Sequence, residues 1–276
     1  MTPGMPADAV DVHAHVLDPA RTGTPGAAYA LFDASLGDYE QHLDRLGIQR
    51  GVLVTASVHG TDNEPVLDAL VRSRKTLRGV AVVGAGVTRD ELERLHERGI
   101  RAIRLQDRFA GGTPLSALGT LGRKVHDLGW HIEIWTDFAQ HLSWLPQAIA
   151  SCRVPVVLDH FGFLGAEVPD DHDAMRTIVT LAREQDMWVT LSGAYRLAPD
   201  VPPAAASETL LARVRYLTEA VPGHLLWGSD WPFVAPPREA PEVGDLRAEL
   251  DLWLPESALR QRILVANPVK CYGFGP

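Results

Sequence analysis

The sequence predicts a single α/β domain, residues 1–276, folded as a (β/α)8 TIM-type barrel. Short runs rich in apolar and β-branched residues recur along the chain, and amphipathic segments of helical length separate them. Strands that alternate with helices in this way predict βαβ units and a parallel sheet. Eight strands in a chain of this length predict that the sheet closes into a barrel.

The predicted strands are runs of strand length that end near turn-forming or polar residues. In chain order they are Ala9–Val16, Gly51–Ser57, Arg78–Gly84, Ile100–Leu105, His131–Thr136, Pro155–Leu158, Trp188–Ser192 and Leu225–Gly228.

The predicted helices carry charged residues on one face, and Thr88 with Glu91 forms a capping box at the start of the third. In order they are Gly37–Leu46, Glu64–Arg74, Thr88–Arg98, Leu115–Leu128, Phe138–Ser151, His172–Gln185 and Ser207–Val221.

Two long segments rich in proline and alanine follow the seventh and eighth strands, at Leu197–Ala206 and Phe233–Val243. In a barrel both lie over the C-terminal mouth, where they are placed to act as lids. An open nucleotide-binding sheet is the alternative fold. It is disfavoured because Gly84-Ala85-Gly86 lacks the third glycine of a phosphate-binding turn, where Arg89 stands.

Composition narrows the class of partner. The chain has 26 Lys+Arg against 35 Asp+Glu, a net charge of −9, which disfavours nucleic acid. No apolar stretch approaches the roughly 18 residues of a membrane span. The start, MTPGMPADAV, lacks a signal-peptide pattern, and Cys152 and Cys271 form no disulfide framework. We therefore expect a cytoplasmic protein with a small-molecule substrate; nothing in the sequence specifies its oligomeric state.

Catalytic side chains of such barrels come from the C-terminal ends of the strands. This rule divides the 11 histidines into three groups. Five lie on helical patterns and are expected at the solvated surface: His42, His96, His126, His141 and His172. His131 and His224 stand at the start of strands, at the opposite end of the barrel. His13, His15, His59 and His160 remain.

Four residues are the predicted catalytic group: His13, His15, His160 and Asp230. His13 and His15 are two positions apart on one strand, so both side chains point into the mouth. His160 ends the sixth strand and Asp230 the eighth. A carboxylate beside imidazoles can take a proton from water. The alternative role for Asp230 is a helix N-cap, which Pro232 and the long loop disfavour.

Three motifs occur in the same order as in a known family: Asp11-Val12-His13-Ala14-His15, Asp159-His160-Phe161-Gly162 and Gly228-Ser229-Asp230-Trp231-Pro232. With Ser192-Gly193-Ala194-Tyr195-Arg196, this set resembles the amidohydrolase superfamily. The similarity is to the branch of metal-independent lactone hydrolases that includes 2-pyrone-4,6-dicarboxylate lactonases. The resemblance implies that Asp230 activates water, while His13, His15 and His160 donate hydrogen bonds to the lactone carbonyl oxygen.

The resemblance also indicates whether the active site binds a metal ion. Metal-dependent members add a histidine at the end of the fifth strand, where this chain has Trp135, and the fourth strand ends with the cation Arg104. His13, His15, His160 and Asp230 offer three nitrogens and one oxygen, enough for a tetrahedral ion. A metal would then leave no obvious base. We expect no cofactor, and a divalent metal such as zinc is the alternative.

Arg104, Arg108 and Arg196 stand on the mouth side and suggest a substrate carboxylate, although each could instead form a surface ion pair. His59, Thr61 and Asn63 are expected at the polar rim. Trp135 and Phe233 stand where the pyrone lactonases have polar residues, which favours a less polar lactone.

Two other functions stay open. One is a metal-dependent decarboxylase or hydrolase of aromatic-pathway or sugar-derived acids in the same superfamily. The other is a catalytically silent barrel that binds a ligand.

Overall fold

The computed structural model describes residues 4–275, and its centre is an eight-stranded sheet in the order β1 to β8. All seven consecutive strand pairs are parallel. The strands are Val10–Ala14, Arg50–Val54, Thr76–Ala81, Ile100–Gln106, His131–Trp135, Val156–Leu158, Met187–Leu191 and Leu225–Trp227. The predicted (β/α)8 barrel is confirmed.

The barrel closes where the segment after β8 meets β1. The backbone N–H of His15 donates to the carbonyl oxygen of Trp231 at 2.8 Å, and the N–H of Asp230 donates to that of His13 at 2.9 Å. Gly228 permits this approach, because a Cβ there would lie 2.6 Å from the Cβ of His13. The closure therefore brings the first and last of the motifs that were predicted to be catalytic side by side.

The helices of the described part, α1 to α12, pack mainly around the sheet. They are Leu36–Leu46, Glu64–Arg72, Arg89–Glu97, Leu118–Val125, Leu145–Ala150, Asp173–Glu184, Ala194–Leu197, Pro203–Thr209, Leu211–Ala220, Val243–Trp253, Ser257–Gln261 and Asn267–Tyr272. None is long and apolar enough to cross a membrane.

Proline explains two differences from the predicted helices. The predicted helix Phe138–Ser151 is a short 3-10 turn followed by α5, whose first turn contains Pro146. The predicted loop Leu197–Ala206 contains the start of α8, where Pro203 is the first residue. Proline has no N–H to donate and a fixed φ, so it fits the first turn of a helix but not its interior. After β8, residues 228–242 contain no helix.

The interior of the barrel is packed by side chains from alternate strand positions, among them Val12, Val54, Trp188 and Leu226. Tyr272 of α12 joins this cluster. Residues of the opposite strand faces pack against the helices in a second, larger core.

The surface position predicted for His42 is wrong. Its side chain on α1 is only 5% exposed and lies beside Tyr39, Trp231 and Phe233. Burial lowers its pKa to about 4. The segment after β8 folds over α1 and covers the ring, a long-range contact that helical periodicity does not reveal.

Candidate active site

The four residues predicted to be catalytic meet at the C-terminal mouth of the barrel, and none is more than 3% exposed. One oxygen of Asp230, Oδ1, lies 3.9 Å from Nε2 of His13, 4.0 Å from Nε2 of His15 and 3.9 Å from Nε2 of His160. Three imidazoles therefore surround a single carboxylate oxygen.

A separate partner holds the other nitrogen of each imidazole. Nδ1 of His15 is 2.8 Å from the carbonyl oxygen of Val54, and Nδ1 of His160 is 2.7 Å from Ser192 Oγ. Nδ1 of His13 is 3.6 Å from Asp159 Oδ1. These contacts fix the ring orientations and turn every Nε2 toward Asp230.

The carbonyl partner determines the tautomer of His15. A carbonyl oxygen only accepts hydrogen bonds, so Nδ1 of His15 must carry the proton. Burial, followed by the neighbouring charges of His13 and Arg104, holds the pKa of His15 well below its ordinary value. The ring is therefore neutral near pH 7 and presents a lone pair at Nε2.

The other two histidines have different protonation preferences. Burial lowers the pKa of His160 to about 3. Burial also acts to lower the pKa of His13, but the Asp159 carboxylate outweighs it and the net shift is upward. The three imidazoles thus differ in charge, although their geometry toward Asp230 is similar.

The second oxygen of Asp230 is occupied by two donors. Arg196 Nε and the Tyr195 hydroxyl each donate to Oδ2 at 2.7 Å. Burial alone would raise the pKa of Asp230, but the charge of Arg196 holds it well below its usual range. Asp230 is therefore ionised, with Oδ1 free of a direct hydrogen bond from the described residues.

Two of these residues have left-handed backbones. His160 has φ = 50° and Asp230 has φ = 60°, in a region that non-glycine residues rarely adopt. Strain of this kind persists where the surrounding structure enforces it, and it is concentrated at functional sites.

A narrow pocket opens beside this group. Its lining includes both predicted residues and residues that the sequence did not indicate: His15, Tyr29, Ser57, Arg104, Phe109, Trp135, His160, Arg196, Asp230 and Val234. Tyr29 comes from the long connection between β1 and α1, which has no periodicity to mark it. Phe109 packs edge-to-face on Trp135, with ring centroids 4.8 Å apart, so one wall is aromatic.

The three predicted substrate arginines have different surroundings. Arg104 is buried and donates from Nε and Nη2 to Asp159 Oδ2, at 3.2 and 3.1 Å. Arg196 is paired with Asp230. Arg108 is exposed and stacks over the ring of Phe163 at 4.2 Å, and its guanidinium forms no ion pair with residues 4–275.

The predicted rim residues are less uniform. His59 is buried, and neither ring nitrogen has a hydrogen-bond partner within the described chain. Thr61 is exposed. Asn63 uses its amide to tie Thr55 to both backbone groups of Val82, which links the ends of β2 and β3.

The two residues predicted to form an apolar pocket wall, Phe233 and Trp135, have different positions in the structure. Phe233, which the sequence predicted to line the pocket, instead packs on Tyr195 and His42. The next residue, Val234, lines the pocket. Trp135 lines the pocket, and its indole N–H has no acceptor among residues 4–275.

His13, His160 and Asp230 offer ligand atoms within 4.8 Å of one another, a set that fits a divalent ion chemically. Tetrahedral zinc with bonds of about 2.0–2.2 Å brings its ligand atoms to roughly 3.4 Å of each other. The nitrogens would have to move inward by about 0.5 Å to reach that spacing from the 3.9 Å separations.

Comparison with known proteins identifies the family. The amidohydrolase family model matches residues 10–274. The chain belongs to the amidohydrolase family. A 4-sulfomuconolactone hydrolase from Rhizobium radiobacter is 33% identical to this amidohydrolase, over 98% of this chain and 91% of the relative. A 2-pyrone-4,6-dicarboxylate hydrolase from Comamonas testosteroni is 32% identical, over 97% and 91%.

A solved structure from Acinetobacter baumannii, named as a probable 2-pyrone-4,6-dicarboxylic acid hydrolase with citric acid bound, superimposes on this amidohydrolase with a TM-score of 0.83. The two are 27% identical, and the match covers 97% of this chain and 100% of that one. The relatives named here are hydrolases of lactones, and this chain is an enzyme of the same amidohydrolase family.

Proposed function

We propose that this amidohydrolase opens the ring of an anionic lactone by adding water to the ester carbonyl, without a metal. The observation that carries the proposal is the position of Asp230 Oδ1, which faces Nε2 of His13, His15 and His160 at 3.9–4.0 Å. These separations are too long for direct hydrogen bonds and suit groups that share an oxygen atom held between them. The lactones in the names of the relatives support the substrate class.

In the proposed reaction, Asp230 Oδ1 takes a proton from water as the water oxygen bonds to the carbonyl carbon. The ester C–O bond then breaks, and Asp230 returns the proton to the leaving ring oxygen. Arg196 and Tyr195 hold Oδ2, which orients the carboxylate while Oδ1 reacts.

The three histidines have different hydrogen-bonding roles in the proposed reaction. Neutral His15 has its proton on Nδ1, so its Nε2 accepts the second hydrogen of the attacking water rather than donating to the substrate. His13 is an imidazolium, with one N–H toward Asp159 and the other on Nε2, and His160 carries its proton on Nε2; both donate from Nε2 to the carbonyl oxygen and stabilise the charge that develops there. For His160 this requires that Nδ1 accept from the Ser192 hydroxyl, which the 2.7 Å contact permits.

The substrate's anionic group would bind on the wall formed by β4 and β5. Arg108 carries a charge that no described carboxylate neutralises, and Trp135 has an unused N–H. Arg104 and Arg196 already neutralise Asp159 and Asp230. Tyr29, Phe109 and Trp135 would contact a flat ring.

A metal-dependent hydrolase or decarboxylase is the second candidate. The hydrogen-bond contacts at Nδ1 of His15 and His160 support this candidate. In metal sites, the ring nitrogen of a histidine that does not bind the metal is usually hydrogen-bonded in the same way. A divalent ion held by His13, His160 and Asp230, with His15 beside them, would polarise the substrate carbonyl as a Lewis acid.

The proposal is tested by incubating the purified protein with 2-pyrone-4,6-dicarboxylate, 4-sulfomuconolactone and a neutral six-membered lactone, and measuring acid release. We expect turnover of at least one anionic lactone and much slower turnover of the neutral one. Failure with every lactone would refute the proposed function, whereas equal rates would refute only the anionic preference.

A further inference from the structure

We propose that Asp159 is a positioning residue of this active site, which holds the Nδ1 edge of His13 so that Nε2 faces the reacting carbonyl and Asp230. The inference concerns how the site is built, and its kinetic test rests on the proposed function. The argument comes from the contacts of Asp159, from the absence of a substitute for it, and from a neighbouring carboxylate that makes different contacts.

Asp159 lies directly after β6 and is completely buried. Its backbone N–H donates to the carbonyl oxygen of Ile134 at 2.9 Å, and its carbonyl oxygen accepts from the N–H of Gly162 at 3.0 Å. The backbone is thus fixed on both sides. The carboxylate therefore has a defined position inside the mouth.

The two carboxylate oxygens have different partners. Oδ2 accepts from the Arg104 guanidinium, at 3.2 Å from Nε and 3.1 Å from Nη2. Oδ1 faces Nδ1 of His13 at 3.6 Å and has no hydrogen-bond partner at shorter range within the described chain. Arg104 therefore orients the carboxylate, and the oxygen that remains is directed at one histidine.

Within residues 4–275, no other group forms a hydrogen bond with that edge of His13. Its two neighbours are held by a backbone carbonyl and by a serine hydroxyl, at 2.8 and 2.7 Å. His13 is instead packed edge-to-face between His15 and His160, with ring centroids at 5.1 and 4.7 Å, and these contacts alone do not select a tautomer. With Asp159 in place, Nδ1 of His13 keeps a proton toward the carboxylate while Nε2 keeps the proton that it donates; without Asp159, no described side chain holds a proton on Nδ1.

Glu133 provides a matched comparison. It is also completely buried, and a carboxylate oxygen of Glu133 lies within 4.8 Å of a carboxylate oxygen of Asp159 and of a ring nitrogen of His13. However, its Oε1 accepts from the Tyr272 hydroxyl at 2.8 Å, toward the opposite end of the barrel. Glu133, whose carboxylate is hydrogen-bonded to Tyr272, is therefore the control for Asp159, whose carboxylate faces His13.

The kinetic test compares Asp159→Asn with the double variant Asp159→Asn/Arg104→Met. Loss of an outer partner of a functional histidine costs about 10–100-fold in activity, so we expect kcat of Asp159→Asn to fall by that amount with little change in KM. The double variant removes the unpaired buried cation and should regain thermal stability without regaining kcat. Glu133→Gln should keep kcat within about threefold of wild type.

A merely structural role gives a different pattern. If Asp159 serves only to neutralise Arg104, the double variant recovers kcat to within about threefold of wild type, and the proposal is overturned.

A second readout does not depend on turnover. Long-range ¹H–¹⁵N NMR of the histidine rings, with His13 assigned from a His13→Asn variant, reports which nitrogen carries the proton. We expect both nitrogens of His13 to be protonated in wild type near pH 7 and the proton on Nδ1 to be lost in Asp159→Asn, while the protonation of His15 and His160 stays unchanged. An unchanged His13 spectrum would overturn the proposal even if no lactone is turned over.

Discussion

Asp11 and Ser229 are 218 positions apart in the chain, yet the Asp11 carboxylate accepts two hydrogen bonds from Ser229. The backbone N–H donates to Oδ1 at 2.8 Å and the hydroxyl donates to Oδ2 at 2.6 Å. Asp11 begins the first catalytic motif, and Ser229 precedes Asp230. This pair therefore sets the position of Asp230 relative to His13 across the seam of the barrel.

We expect Asp230→Asn to reduce kcat by about 10²–10⁴-fold, because an amide cannot take a proton from water. The protein should remain folded by circular dichroism, with a lower Tm because Arg196 loses its buried counter-charge. Asp200→Asn, an exposed aspartate after β7, is the control and should turn over normally. Near-normal turnover of Asp230→Asn would contradict the assigned role.

Arg196→Met should have two effects. It removes the cation that holds down the pKa of Asp230, so that pKa rises. More of the base is then protonated at a given low pH, and the acid limb of kcat/KM moves to higher pH. We also expect kcat/KM at pH 7 to fall by about 10–100-fold through loss of a charged hydrogen bond.

The control for that experiment is Arg238→Met, an exposed arginine on the segment after β8. A decrease of less than about threefold for Arg196→Met would mean that the ion pair between Arg196 and Asp230 contributes little to catalysis. An unshifted acid limb would mean that it does not tune Asp230.

Glu249 should make stability depend on pH. It is buried on α10, where its hydrogen-bond partners among the described residues are Trp227 Nε1 and Ser207 Oγ, and burial raises its pKa from 4.5 to about 7. Its folded-state pKa exceeds its unfolded value, so the neutral form stabilises the protein below pH 4.5. That contribution is lost as pH rises toward and past 7.

Glu249→Gln keeps the hydrogen bonds and cannot ionise. We therefore expect the free energy of unfolding of wild type to fall relative to this variant by on the order of 3 kcal/mol from pH 5 to pH 8. The Tm difference between the two should increase by several degrees over the same range. Glu239→Gln, at an exposed position, should show no such trend. A constant difference for Glu249→Gln would show that Glu249 does not titrate in this window.

Metal content distinguishes the two candidate chemistries. Protein grown and purified without added metal should contain less than about a tenth of an equivalent by elemental analysis, and chelators should leave turnover unchanged. Close to one equivalent of zinc or manganese, lost in His13→Ala, would favour the metal-dependent alternative.

The sequence was sufficient to place His13, His15, His160 and Asp230 together, because strand ends of a parallel barrel share one edge. It could not show which oxygen of Asp230 faces the imidazoles. The pairing of Arg196 with Asp230 depends on side-chain reach across two neighbouring loops, and no spacing in the sequence encodes that reach.

Other parts of the site were missed for related reasons. The sequence motif that contains Asp159 and His160 predicted a role for the histidine alone. The proposed role of Asp159 depends on its contacts with Arg104 and His13, which come from other strands. Tyr29 lies in an aperiodic connection, so only the three-dimensional path of that segment brings it to the pocket.

The most direct test of the account is the isotopic composition of the product formed in H₂¹⁸O from the best anionic lactone. If water held by Asp230 attacks the carbonyl, each opened ring should carry one ¹⁸O in its new carboxylate, and Asp230→Asn should form almost none of this product. A product without ¹⁸O would contradict hydrolysis by enzyme-activated water.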